Sequence, residues 1–313
     1  MKTNFKELYQ KSLENPEEFW REISNDIFWF KKPSKILNSS NPPFYKWFED
    51  GVTNSCYNAL DYHIDEGRGD KTALIYDSPI TGNKGKFSFK QLKEKVSKFA
   101  GALSNQGVKK GDRVIIYMPM IPEAVVAMLA CGRIGAIHSV VFGGFASNEL
   151  ASRIDDSKAK VLVTASCGFE PGRTVEYRPL IDGALKLAKH KVEKVILFQR
   201  QGHEIKLNSP FEISWEESLS NAGDTDCIEM GSNEFAYILY TSGTTGVPKR
   251  IVRDIGGHIV ALKWTMKNIY NINEGDIWWS ASDIGWIVGH SYIVYAPLFK
   301  GCTTVLFEGK PVG

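Results

Sequence analysis

Short apolar runs alternate with segments of helical period along most of this 313-residue chain, and that alternation restricts its fold more than any other feature. Leu92, Val96, Phe99, Ala100 and Leu103 recur with the spacing of one helical face. Ser88 and Gln91, just before them, have capping-box spacing, and Gly107 closes the segment. Arg113 to Met118 then reads as a strand, Pro122 opens a helix, Ser139 to Phe142 is a strand, a helix follows Ser147, and Lys160 to Thr164 is again a strand. Runs at Val195 to Phe198, Phe235 to Tyr240 and Thr303 to Phe307 continue the series. Strands separated by helices pair in parallel, so the expected fold class is α/β, with mainly parallel sheets covered by helices. The length corresponds to about two domains. Before about Asp61 the pattern differs: Trp20, Trp29, Pro33, Pro42, Pro43, Trp47 and Phe48 occur without sustained periodicity. This predicts an N-terminal layer, residues 1–62, wrapped on a larger domain, residues 63–313.

Composition excludes several classes of protein. The 38 Lys plus Arg are balanced by 36 Asp plus Glu, and 43% of residues are hydrophobic, which argues against both disorder and a polyanion-binding tail. No nucleic-acid partner is therefore expected. The apolar run Ala124 to Cys131, flanked by Glu123 and Arg133, falls well short of the roughly 20 residues of a spanning helix, so no membrane span is expected. Lys6, Glu7, Lys11, Glu14, Glu17 and Glu18 break up the first twenty residues and leave no secretory signal. Cys56, Cys131, Cys167, Cys227 and Cys302 are odd in number and contain no CxxC pair. That pattern predicts reduced thiols, a cytoplasmic location and no metal cluster.

The most informative string is Tyr240-Thr241-Ser242-Gly243-Thr244-Thr245-Gly246-Val247-Pro248-Lys249, which follows the apolar run Phe235 to Tyr240. Gly243 and Gly246 permit a tight loop whose backbone N–H groups converge on an anion, the four hydroxyls donate hydrogen bonds, and Lys249 adds charge. A generic Gly/Ser/Thr run is more often a solvated turn, but the density of donors here suits a nucleotide triphosphate. The spacing is not that of Gly-x-x-x-x-Gly-Lys-Ser/Thr, which sets aside an ordinary P-loop NTPase.

Together with Asn54 to Leu60, Ala73 to Thr81, Val140 to Phe145, Val252 to Asp254, Gly256 to His258 and Ser282 to Tyr292, this string resembles the adenylate-forming acyl-CoA synthetases. The likeness covers nearly the whole chain and is greatest for the short-chain branch and its propionyl-CoA synthetases. Arg250 departs from it, because the family usually has glycine after the Pro-Lys pair. The resemblance implies an ATP-dependent ligase acting in two steps. A short-chain carboxylate, propionate and also acetate, attacks the α-phosphate of ATP to give an acyl-adenylate and pyrophosphate; the thiol of CoA then displaces AMP. ATP, CoA and Mg2+ are the implied cofactors, and small molecules the implied substrates.

Carried over residue by residue, the resemblance assigns ATP phosphates to Thr241, Ser242, Gly243, Thr244, Thr245, Gly246 and Lys249. It assigns the acyl pocket to Trp286, Ile287 and Val288, with the indole capping its depth. Acetate-specific relatives tend to carry threonine where Val288 stands, which leans the reading towards propionate. It places Phe142, Gly143 and Gly144 near the adenine of CoA, and Arg173, after Gly172, on the 3′-phosphate, where a planar guanidinium fork fits. Glu170 stands where acetyl-CoA synthetases often have a second arginine. Judged alone, Trp278 and Trp279 are ordinary core aromatics, His290 is a buried hydrogen-bonded histidine, and Arg173 is a solvated surface charge. The family continues past the position of Gly313, so its adenylation lysine, ribose-binding acid and C-terminal domain are expected beyond these residues and no catalytic residue is assigned within them. The alternative expectation is a non-catalytic nucleotide- or CoA-binding derivative.

Overall fold

Residues 5–241 and 249–309 are described by the computed structural model of the chain. Helices α1 (Phe5–Glu14) and α2 (Pro16–Ser24) lead into the main body, which begins with strands β1 (Thr72–Asp77) and β2 (Lys84–Ser88) and helix α3 (Phe89–Asn105). The series continues with β3 (Arg113–Tyr117), α4 (Pro122–Arg133), β4 (Ile137–Val141), α5 (Ser147–Ser157), β5 (Val161–Ala165), β6 (Cys167–Glu170), β7 (Arg173–Glu176), α6 (Arg178–Leu187) and β8 (Lys194–Phe198). After β9 (Glu212–Ser214) and α7 (Trp215–Ser220) come β10 (Phe235–Thr241), β11 (Lys249–Asp254), α8 (Gly256–Asn268), β12 (Ile277–Trp279) and β13 (Thr303–Phe307).

One sheet has seven strands in the order β9-β8-β5-β3-β4-β10-β11, and a second has four in the order β12-β13-β1-β2. In the larger sheet every pairing except β10 with β11 is parallel. All five residues of β5 are buried, as a strand covered on both faces requires. Helix α4 is apolar on all sides and accordingly buried on all sides, packed on α3, β3 and β4.

The expected α/β alternation is present, with two differences. Among the strands named above, three antiparallel pairs interrupt it: β1 with β2, β6 with β7, and β10 with β11. Their connections, residues 78–83, 171–172 and 242–248, are shorter than the dozen or so residues of a parallel crossover. The strand expected at Ser139 to Phe142 runs instead from Ile137 to Val141, because the chain leaves the sheet at Phe142 to turn through Gly144, whose φ is +88°.

Helix α3 forms as its sequence dictates. The Ser88 hydroxyl accepts the Gln91 N–H at 3.2 Å, the Gln91 carboxamide accepts the Ser88 N–H at 2.9 Å, and the five apolar residues of the expected face are fully buried. Ser88→Ala should cost about 1 kcal/mol of unfolding free energy, read as a lower urea midpoint at unchanged slope.

The N-terminal segment is tied down by specific bonds. Asn54 donates to the carbonyls of Gly132 and Ile228, both at 2.9 Å, and accepts the N–H groups of Cys56 and Tyr57. The Asn54 to Leu60 motif is thus a bolt between three stretches of chain. Next to it the Arg133 guanidinium, fully buried, grips the Asp61 carboxylate with bonds of 2.7 and 2.8 Å. Cys56, Asp61 and Cys227 bring three potential metal-ligating atoms together, but Arg133 already supplies a cation there, 3.1 Å from the Cys227 sulfur.

Candidate functional site

Parallel strands in both sheets end on one cleft of about 220 Å³. Pro119 and Met120 line it just after β3, Phe142 and Gly143 after β4, and Gly168 and Phe169 shortly after β5. From the smaller sheet, Trp279 and residues 280–283 enter at the end of β12, and Phe307, Glu308 and Gly309 at the end of β13. Side chains diverge from a sheet where its strands end, so this edge is where α/β folds open crevices for ligands. Strand β10 runs parallel to β4, so Thr241 at its end reaches the same edge of the larger sheet.

The phosphate string is described at its two ends. Thr241 and Lys249 face each other as a register pair of β10 and β11, both exposed, with the Thr241 hydroxyl 3.4 Å from the Lys249 carbonyl. Ser242, Gly243, Thr244, Thr245 and Gly246 lie outside the described residues. Arg250, the departure from the family pattern, points away to an exposed ion pair with Asp156 at 3.1 Å.

Phe142 and Gly143 line the cleft, and Gly144 makes the turn behind them. A Cβ on Gly143 would lie 2.3 Å from the Tyr177 hydroxyl, so only glycine fits there. Gly172 has φ +76° in the two-residue turn between β6 and β7. Arg173 follows it with its side chain largely exposed and paired to Glu170 at 2.9 Å, so the carboxylate that replaces a second arginine holds the first.

Trp286, Ile287 and Val288 sit together but not in an enclosed pocket: they are 47%, 41% and 47% exposed. The Trp286 ring lies 6.0 Å from Phe142 and 6.3 Å from Phe145, which joins the expected acyl residues to the cleft wall. The loop that carries them folds back tightly, since a Cβ on Gly289 would lie 1.9 Å from the Asp283 carbonyl oxygen. Gly289→Ala should therefore displace the loop and cost about 2–3 kcal/mol, measured by thermal unfolding.

Two expectations need correction. Trp279 is not a core aromatic; it is half exposed and forms part of the cleft wall, because β12 is the edge strand of its sheet and its end is open. Trp278 is partly buried, its indole N–H bonded to the Tyr292 carbonyl. His290 is fully buried, but neither ring nitrogen has a hydrogen-bond partner among the described residues, and burial pushes its pKa down to about 4.

Sequence reasoning did not single out the charged groups Arg200, Asp283 and Glu308. Glu308 is buried in a bidentate pair with Arg200 at 2.7 and 3.0 Å and also accepts the Tyr76 hydroxyl. The Arg200 guanidinium in turn lies 4.7 Å over the Phe169 ring, which braces that wall. Asp283, half-buried, accepts the Gly285 N–H at 2.7 Å, and burial raises its pKa to about 6. Its only sequence signal was its place within Ser282 to Tyr292.

These features put the chain in the class of α/β proteins that hold small ligands at the carboxyl ends of parallel strands. A family model described as AMP-binding enzyme matches residues 62–312, and one described as acetyl-coenzyme A synthetase N-terminus matches residues 5–59. The chain belongs to the AMP-binding enzyme family. It is 54% identical over 310 residues to the mitochondrial acyl-CoA synthetase short-chain family member 3 of Mus musculus, covering 99% of this chain and 46% of that protein. It is 44% identical over 318 residues to the acetyl-coenzyme A synthetase of Xylella fastidiosa, covering 99% and 49%. Among solved structures, the acetoacetyl-CoA synthetase of Streptomyces lividans superposes with a TM-score of 0.89 at 25% identity, over 98% of this chain and 47% of that one. The chain thus spans about half the length of the relatives it matches.

Proposed function

We propose that this chain carries the acyl- and CoA-binding part, and the phosphate loop, of an AMP-forming ligase that joins a short-chain carboxylate to CoA. The observation that carries this reading is the convergence on one edge of the fold: Thr241 and Lys249 at the ends of the phosphate string, Phe142 and Gly143 in the cleft, and Trp286 against Phe142. An oxygen of the carboxylate attacks the α-phosphorus of ATP and pyrophosphate leaves. The CoA sulfur then attacks the acyl carbon, and AMP leaves with the bridging oxygen. The first step brings an anion up to a polyanion, so neutralising and positioning groups contribute most of the acceleration. In this reading Lys249, the hydroxyls and the backbone N–H groups of residues 241–246 hold the phosphates, with Mg2+ accompanying ATP. Arg173 holds the 3′-phosphate of CoA, and the aromatic walls Phe142 and Phe169 exclude water from the cleft. The test is formation of AMP that requires ATP, CoA and a short-chain carboxylate together, in the polypeptide that contains this chain; ATP hydrolysis indifferent to the carboxylate would overturn it.

Propionate is the preferred substrate in this reading, with acetate poorer, because the aliphatic Val288 replaces the threonine of acetate-specific relatives. One methylene in such a pocket is worth about 1–3 kcal/mol. Val288→Thr should accordingly shift the ratio of kcat/KM for propionate over acetate roughly tenfold towards acetate.

A further inference from the structure

We propose that Asp283 takes the proton from the CoA thiol in the second half of the reaction; this inference rests on the ligase reading above. The position comes first. Asp283 stands between the two groups of residues that the thioester step must join: Trp286 is three residues along, its N–H bonded to the Asp283 carbonyl at 3.0 Å, and the backbone of Phe142 packs on Gly285. Asp283 itself lines the cleft.

Its chemistry sets it apart from the other acids there. Among the described residues three carboxylates line the cleft, Glu170, Asp283 and Glu308. Arg173 neutralises Glu170, and Arg200 neutralises Glu308. Among the described residues Asp283 forms no ion pair, and one of its oxygens receives the Gly285 N–H while the other has no hydrogen-bond partner. A neighbouring phenol, Tyr177, is itself held protonated by burial and by its neighbours Tyr117 and Asp283, so it does not compete as a base. Burial lifts the Asp283 pKa to about 6, against which the Gly285 N–H pulls it down. Such a carboxylate is ionised at neutral pH yet more basic than an ordinary one, as proton transfer from a thiol requires.

The step balances as follows. The proton passes from sulfur to the free oxygen of Asp283 as the sulfur–carbon bond forms. The bond from the acyl carbon to the adenylate oxygen breaks, and its electron pair leaves with AMP. Asp283 returns the proton to water when the cleft empties.

The experiment measures two rates in the polypeptide that contains this chain: adenylate formation, by carboxylate-dependent exchange of pyrophosphate into ATP, and thiol-dependent release of AMP. In the unaltered protein the ratio of thioester rate to adenylation rate should rise about tenfold per pH unit up to about pH 6 and then level off. A thiol that ionises unaided would instead make the ratio climb steadily past pH 8. Asp283→Asn keeps an acceptor for the Gly285 N–H, so a purely structural role would survive it. The inferred role predicts a fall in the ratio of roughly a hundredfold or more and loss of the break near pH 6, with Asp283→Glu restoring both in part. An unchanged ratio and profile in Asp283→Asn would overturn the inference while adenylate formation left the ligase reading intact. Absence of adenylate formation in the unaltered protein would overturn both.

Discussion

Lowering the pH from 7 to 5 is expected to remove about 5 kcal/mol from the stability of this chain, a loss comparable to the whole stability of many domains. The cause is four histidines that fold in neutral form. His138, His258 and His290 are buried together with Tyr237 and Tyr295, behind the junction of β4, β10 and α8. His138 shares a hydrogen bond of 2.6 Å with the Tyr295 hydroxyl, and His258 one of 3.1 Å with Tyr237, but the remaining ring nitrogens have none among the described residues. His63 is buried separately, its Nδ1 turned to the Arg68 guanidinium and its Nε2 to the Leu298 carbonyl. Burial pushes the pKa of His63 and His258 down to about 3 and that of His290 to about 4, and holds His138 below the usual range as well.

The sign follows from which state binds protons. Below about pH 6.5 the unfolded chain protonates these rings and the folded chain does not, so stability falls as the pH falls, by about 2 kcal/mol per ring at pH 5. Asp283, Glu123 and Asp254 act in the opposite direction, since burial raises their pKa values and folding then gains protons on acidification. They return only part of the loss. Urea unfolding at the two pH values measures the difference, and equal midpoints would show that the rings are charged or hydrated in the fold.

The second large effect concerns Arg133. Replacing it with methionine leaves the Asp61 carboxylate without its bidentate partner in a site where the arginine itself has no exposure. A loss of about 3–5 kcal/mol is expected, because the cost is that of a largely buried charge left unpaired. Arg133→Met combined with Asp61→Leu should lose less than Arg133→Met alone, since no orphan charge remains. Equal losses in the single and double variants would mean that the pair is not what Arg133 contributes.

The elements of this fold were legible wherever local rules agree with burial. Helix α3 was readable because its cap, its apolar face and its closing glycine all speak through neighbours within one or two turns. The strands β3, β5 and β8 were readable because a strand covered on both faces is apolar throughout. The antiparallel pairs were missed, as they depend on connection length rather than on strand composition. In the site, the phosphate string and the segments at Phe142 and Trp286 stood out as motifs, whereas Asp283 and Trp279 did not. A half-buried carboxylate and an exposed indole gain their meaning from strands far apart in sequence, β3, β4 and β12, meeting at one edge. The buried histidines show the same limit from another side: nothing adjacent to His138 in sequence announces that His258 and His290 will face it.

The adenylate route itself is tested most directly with a carboxylate labelled with oxygen-18, turned over in the polypeptide that contains this chain. If the carboxylate attacks the α-phosphorus, AMP must recover one labelled oxygen in its phosphate. Unlabelled AMP, or formation of ADP in its place, would contradict the account.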